Sequence, residues 1–378
     1  MDVALKNIFR LFMEGIMIMV CPVLLAMVVN QKTEGHELVN GITSSVAALT
    51  LEAGILPFVV LSVLPGPGCA ARYLYGASKW FLHLSALLLV VLAVILLLII
   101  SMSMDKPVYM FVLMAFLAVV LTTWWCMLSV QNSPGIDSTT YNGHEAMLEN
   151  LTDFSAAVTS ILFLGLEWLA LGGQSSGYTA AAHGLDRRLL AASLGVGFFT
   201  CVLGVSVMLQ GTVPSVTSDG NKGTANVEAA NIVLAIFTGA TVILITSAAV
   251  KEMGWCVIAP ALVAFLTWAY LKIFDGAAGR EEEVAKPASL ALTKVTFTGF
   301  FAVSVLSIGN SSLSTCTKAF IMLTSAAVIS GIGWRLLTHR TSSSRAVIVA
   351  ANTASLCAHV CVALVVFPFV AMAVNGLK

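Results

Sequence analysis

Runs of about 20 mainly apolar residues recur along the whole chain, and a run of that length is what an α-helix needs to cross a bilayer. Of the 378 residues, 58% are apolar and 10% are charged. A soluble domain carries about 25% charged residues. Because so few charges cannot cover a surface in water, we expect a lipid bilayer to surround most of the chain. The sequence therefore predicts an all-α polytopic membrane protein with about ten or eleven transmembrane helices.

A scan for apolar windows of this length places the predicted spans along the chain. They are Leu11–Asn30, Gly41–Leu64, Phe81–Met102, Val108–Val130, Thr152–Gly172, Leu189–Gly211, Glu228–Val250, Gly254–Lys272, Val295–Asn310, Ala319–Leu337 and Ala346–Val374. Val295–Asn310 is the weakest of them. The connections between spans are too short to hold a soluble domain. We therefore predict a single transmembrane domain over residues 1–378.

The polar residues exclude several classes of protein. Nineteen basic residues balance nineteen acidic ones, so no basic field is available to attract nucleic acid. The chain has no GxxxxGK[ST] or HExxH motif, and no pair among its eight cysteines has CxxC spacing. We therefore expect no enzyme activity, no cofactor, no metal site and no nucleic-acid partner. A non-transporting scaffold or an intramembrane enzyme is the third-ranked alternative.

Among the acidic residues of the predicted spans, three stand out. Glu14 lies near the start of the first span, Glu52 lies in the middle of the second, and Glu167 lies in the fifth. A charge at the centre of a membrane helix costs about 2.5–3.5 kcal/mol on insertion scales. Such residues usually face a cavity or a partner, so all three are candidates for lining an ion pathway.

Glu52 is the most informative of the three acids. Pro57 follows five residues later and predicts a kink, while Gly54 allows another helix to approach closely. A kinked helix that carries a carboxylate suits a cation site. The alternative is a protonated glutamate that hydrogen-bonds to a neighbouring helix. Trp168, next to Glu167, indicates that Glu167 lies nearer the membrane interface.

The end of the ninth span is unusually rich in hydroxyl groups. Ser307, Asn310 and Ser311 belong to a polar stretch that continues to Thr317. Irregular polar backbone survives at membrane depth only beside protein or a water-filled cavity. This stretch is therefore a candidate pore lining, and the alternative is an extramembrane loop that follows a short helix.

With Glu52, Glu167 and a charged loop at Arg280–Glu283 in an otherwise all-membrane chain, the sequence resembles the executor-type disease-resistance transmembrane proteins of grasses, such as the barley leaf-rust type. It also resembles plant calcium-permeable resistance channels. This resemblance implies a cation leak, of calcium above all, that triggers plant defence or cell death.

We therefore expect a multi-pass cation channel, calcium-permeable and homo-oligomeric, in the plasma membrane or the endoplasmic reticulum, with the acids and hydroxyl groups lining the path. The alternative is a proton-coupled secondary transporter of a small solute, in which Glu52 or Glu167 carries the proton. The span count favours that alternative, and so does a faint repeat between Ser44–Ile100 and Ser155–Leu209, because transporters often contain internal repeats.

Overall fold

The computed structural model describes residues 3–30, 37–63, 69–103, 145–172, 185–212, 220–250, 254–274, 290–307, 313–338 and 345–376. These residues are 99% helical, with no strand among them. Their helices are α1 Val3–Asn30, α2 Glu37–Val63, α3 Cys69–Ser103, α4 Glu145–Glu167, α5 Leu185–Thr212, α6 Gly220–Val250, α7 Ala259–Phe274, α8 Leu290–Ser307, α9 Thr315–Thr338 and α10 Arg345–Gly376. A π-helical turn, Trp168–Gly172, extends α4, and a 3₁₀ turn, Gly254–Ile258, precedes α7.

Nine of the helical segments in these ranges are long and apolar enough to cross a membrane. The prediction of an all-α polytopic membrane protein is therefore confirmed. Helix α8, which corresponds to the weak ninth span, has a shorter apolar stretch, Ala291–Ser304. The predicted span Val108–Val130 and the loop Arg280–Glu283 lie outside the described residues.

Helices prevail because lipid offers no hydrogen-bond partner to an open backbone. Many hydroxyl side chains on the helices also find their hydrogen-bond partners within the protein. Thr50 donates its Oγ1 hydrogen to the Val46 carbonyl at 2.6 Å, one turn back on its own helix. At the start of α9, the Oγ of Ser314 accepts the backbone N–H of Thr317 at 3.1 Å. Ser314 therefore caps this helix.

Several helices are longer than the spans predicted from hydropathy. Helix α3 begins at Cys69, well before Phe81, and α6 begins at Gly220, before Glu228. Hydropathy locates the apolar window, whereas intrahelical hydrogen bonds continue past it into polar sequence. Pro57 lies inside α2, which continues to Val63.

The first of two compact units comprises residues 1–176 and 197–234. In it α1 packs against α2 and α4, and α2 packs against α3. The close approach of α1 and α2 depends on Gly54, because a Cβ there would lie 2.7 Å from Cδ1 of Ile16. Of the span Thr152–Leu171 on α4, 72% is buried, against 28% of Val39–Pro57 on α2. Helix α4 is therefore the most enclosed span of this unit.

The second unit comprises residues 177–196 and 235–378. Helix α9 packs in it against α7, α8 and α10. The hydroxyl groups of Thr246 on α6 and Ser325 on α9 lie 2.7 Å apart and share a hydrogen bond. Trp334 packs with Ala351 and Ala354 of α10. Both units contain helices long and apolar enough to cross a membrane, and the single transmembrane domain over residues 1–378 stays a prediction.

Candidate functional site

Glu167 lies at the C-terminal end of α4, where the α-helix gives way to the π-helical turn. Its side chain is 6% exposed, although the next residue, Trp168, is 53% exposed. The Glu167 Oε2 atom has no hydrogen-bond partner among the described residues. A buried carboxyl oxygen without a partner can bind a proton, a cation or a hydrogen-bond donor.

Two further polar residues precede Glu167 on the same face of α4. Asp153, Ser160 and Glu167 follow one another at seven-residue intervals, which correspond to nearly two turns each. We call these three residues the α4 polar line. The Ser160 Oγ is buried and has no hydrogen-bond partner in the described part of the chain. Asp153 differs from Ser160, because it is half-buried and takes part in an interaction with another residue.

Two other hydroxyl groups of α4 donate hydrogen bonds to their own helix. The Ser155 Oγ donates to the Thr152 carbonyl at 2.9 Å, and the Thr159 Oγ1 donates to the Ser155 carbonyl at 2.6 Å. These bonds satisfy the hydroxyl groups without a ligand. Ser160 and Glu167 therefore differ from their neighbours, because each keeps an oxygen that could bind one.

The end of α4 is electrostatically suited to a positive charge. The last carbonyl groups of a helix lack intrahelical partners and carry the negative end of its dipole. The π-helical turn Trp168–Gly172 shifts the hydrogen-bond register at this point, and such turns occur frequently at functional sites. The carboxyl group of Glu167 favours a cation or a proton, and the negative end of the helix dipole, which lies in the π-helical turn that follows Glu167, favours positive charge as well.

Neighbouring helices pack closely against α4. A Cβ on Gly15 of α1 would lie 3.6 Å from Ala156 Cβ. A Cβ on Gly204 of α5 would collide with the Thr159 Oγ1, and α3 packs against both α4 and the π-helical turn. Glycine at these positions lets the helices approach closely enough to exclude lipid from α4.

Glu52 and Glu14 have a different setting. Glu52 is exposed on α2. Glu14 pairs with Arg10 one turn earlier, with Oε1 3.4 Å from Nε and both side chains about half exposed. Among the described residues, no hydrogen bond or ion pair joins either acid to Glu167. Of the three acids predicted to line a path, Glu167 is the buried one.

In the hydroxyl-rich segment that begins at Ser307, one hydroxyl group is hydrogen-bonded within its own helix. The Ser307 Oγ is buried and donates to the Val303 carbonyl at 2.7 Å. Asn310 and Ser311 lie outside the described residues. Pore lining by this segment stays a prediction. Across the described residues, no group of three or more His, Cys, Asp or Glu side chains is placed to hold a metal ion.

The sequence did not single out Asp153 or Ser160. A serine in an apolar run carries no signal alone, and Asp153 lies at the very start of the predicted span Thr152–Gly172. Their seven-residue spacing from Glu167 is the signal that could have found them. No family model, curated protein or solved structure matches this chain. The resemblance to plant resistance proteins therefore stays a prediction.

Proposed function

We propose that this protein is a secondary transporter that couples the movement of a small solute to a proton or cation bound at Glu167. The observation that carries the proposal is the buried carboxyl group with an oxygen that lacks a partner among the described residues. Acidic residues inside membrane spans are costly, and they typically mark ion pathways or proton relays.

The position of Glu167 on its helix supports the same proposal. Transporters often bind coupling ions where a membrane helix is interrupted, because freed carbonyl groups and the negative end of the helix dipole coordinate the cation. Glu167 immediately precedes the π-helical turn of α4. Glu167 is buried within a single copy of the chain, so a site there needs no second copy.

A cation channel is the second candidate, and Glu52 favours it. That carboxyl group is exposed within the span Val39–Pro57, so a path lined by it would run between copies of the chain. Rings of acidic side chains select cations in such paths. Calcium permeability belongs to this second candidate.

The test is reconstitution of the purified protein into liposomes that contain a pH-sensitive dye. Mixtures of amino acids, sugars and organic acids are added outside under an imposed pH gradient, and radioactive calcium uptake is measured in parallel. Glu167→Gln removes the titrating group and keeps the side-chain shape. Glu14→Gln is the matched control, because Glu14 is half exposed and paired with Arg10.

For a transporter, one class of solute drives saturable proton movement that Glu167→Gln abolishes and Glu14→Gln preserves. Solute-driven transport that survives Glu167→Gln would remove Glu167 from the mechanism. Calcium uptake that needs no solute, persists in Glu167→Gln and disappears in Glu52→Gln would replace the transporter with the channel.

A further inference from the structure

The outward face of α2 carries a carboxyl group in the middle of an otherwise mainly apolar stripe. The exposed residues on this face recur at alternating intervals of three and four. They are Ile42, Ser45, Leu49, Glu52, Leu56 and Val59. We call these six residues the α2 seam. The spacing is the one at which two helices pack against each other along their length.

Contacts between α2 and α3 give the depth of Glu52. The Ser85 Oγ donates a hydrogen bond to the Thr50 carbonyl at 3.1 Å. A Cβ on Gly54 would also lie 3.1 Å from this Ser85 Oγ. Glu52 lies midway between Thr50 and Gly54, so it is level with Ser85. Ser85 lies five residues, or about 7.5 Å along the helix axis, inside the apolar span Trp80–Ser101.

The direction of the side chain keeps Glu52 away from the nearer membrane surface. Helix α3 begins six residues after α2 ends, so the two helices run antiparallel as a hairpin. A helical Cβ tilts toward the N-terminus of its own helix, which for α2 is the Ser101 side of the hairpin. The Glu52 carboxyl group therefore leans away from the nearer membrane surface, and a charged group that faces lipid inside a span is costly.

We propose that the α2 seam is a homodimer interface on which a second copy of this chain covers Glu52 with its own Glu52. Two copies in one membrane have the same orientation. A twofold rotation axis normal to the bilayer would relate them, and it keeps each residue at the same depth in both copies. Each seam residue therefore meets its own counterpart. Two carboxyl groups that meet in this way can pair, because a carboxyl group that holds a proton has one O–H donor and a second oxygen that accepts.

The N-terminal part of α2 also fits a close helix pair. Gly41 and Ser45 are exposed and four residues apart, a small-residue spacing that lets membrane helices approach closely. A Cβ on Gly41 would meet no atom within 4 Å, so the backbone there is open to a partner. The interface does not depend on Glu167 or on any transport step, so its test is independent of the proposed function.

The first experiment identifies what covers the seam. A photo-cross-linking phenylalanine analogue replaces Leu49 on the seam or, as a control, Leu84, which is 44% exposed on α3. Copies labelled with ordinary and heavy nitrogen are mixed in liposomes, irradiated and analysed by mass spectrometry. We expect adducts from position 49 that join α2 of one copy to α2 of another, and lipid adducts from position 84.

Adducts from position 49 that stay within one chain, that contain lipid alone, or that reach another helix of the second copy would overturn the proposal. Helix α10, where His359 is exposed, is one such helix.

The second experiment measures the contribution of the carboxyl group. Energy transfer between labelled copies gives the dimer dissociation constant in liposomes. Glu52→Leu should weaken the dimer about tenfold, because interhelical hydrogen bonds between membrane helices contribute about 1–2 kcal/mol. Glu52→Gln should stay within about threefold of the native chain, because an amide also donates and accepts. Thermal melting of each variant checks folding, and unchanged association of a folded Glu52→Leu variant would refute the interface.

Discussion

Ser160 and Glu167 lie about 10 Å apart along one face of α4, and each has a buried oxygen with no hydrogen-bond partner among the described residues. Natural proteins satisfy nearly all buried polar groups, so exceptions need a reason. A site that binds its ligand only during part of a transport cycle supplies one. The free protein then keeps polar atoms that its ligand satisfies.

Replacement of Glu167 should separate stability from function. An unsatisfied buried polar group costs about 1–3 kcal/mol, so Glu167→Leu should raise the melting temperature in detergent while abolishing solute-driven transport. Functional sites often carry such a cost. A lower melting temperature for Glu167→Leu would mean that the carboxyl group stabilises the fold through a partner, and that its role is structural.

Gly204 should tolerate no side chain, because a Cβ there would meet the Thr159 Oγ1 and lie 3.1 Å from Thr159 Cβ. Overpacking of this kind costs about 1–3 kcal/mol, so Gly204→Ala should lower the melting temperature. On the same helix, Gly195→Ala is the control, since a Cβ there meets nothing within 4 Å. Thr159→Ala removes the colliding oxygen and should partly restore Gly204→Ala. Equal melting of the two glycine variants would contradict the close approach of α4 and α5.

The fold class could be predicted from the sequence because a membrane-spanning helix needs a long apolar window, and such windows are visible in one dimension. Helix ends could not, since α3 continues to Cys69 through residues that hydropathy does not mark. Glu52 and Glu167 look alike in sequence, yet one is exposed and the other buried. Which face of a helix is covered depends on packing against other helices, and no single window contains that information.

The Thr246–Ser325 contact should show measurable coupling. Its two hydroxyl groups lie 2.7 Å apart. Because each hydroxyl also lies within bonding distance of a carbonyl on its own helix, loss of one partner leaves the other satisfied. A double-mutant cycle with Thr246→Ala and Ser325→Ala should therefore give a coupling energy near the average for membrane helices, about 0.6 kcal/mol. The control cycle pairs Thr246→Ala with Thr338→Ala, whose hydroxyl donates to its own helix. If the control pair gave the same coupling energy as Thr246 and Ser325, the hydrogen bond between these two hydroxyl groups would make no specific contribution to stability.

Two cysteines should react with alkylating reagents at very different rates. Cys256 is exposed at the start of α7's apolar span, whereas Cys201 is 1% exposed, with its Sγ 3.9 Å from the Thr159 carbonyl. Because Cys201 reacts only when α4 and α5 separate, its alkylation in liposomes should be slower than that of Cys256 by about tenfold or more. Mass spectrometry of the peptides gives both rates, and denaturant should equalise them. Since Cys201 contacts α4 at the Thr159 carbonyl, its rate also reports separation of α4 and α5 at that position. Similar rates in the folded protein would show that α4 and α5 separate freely at Thr159, and would contradict the close packing of these two helices.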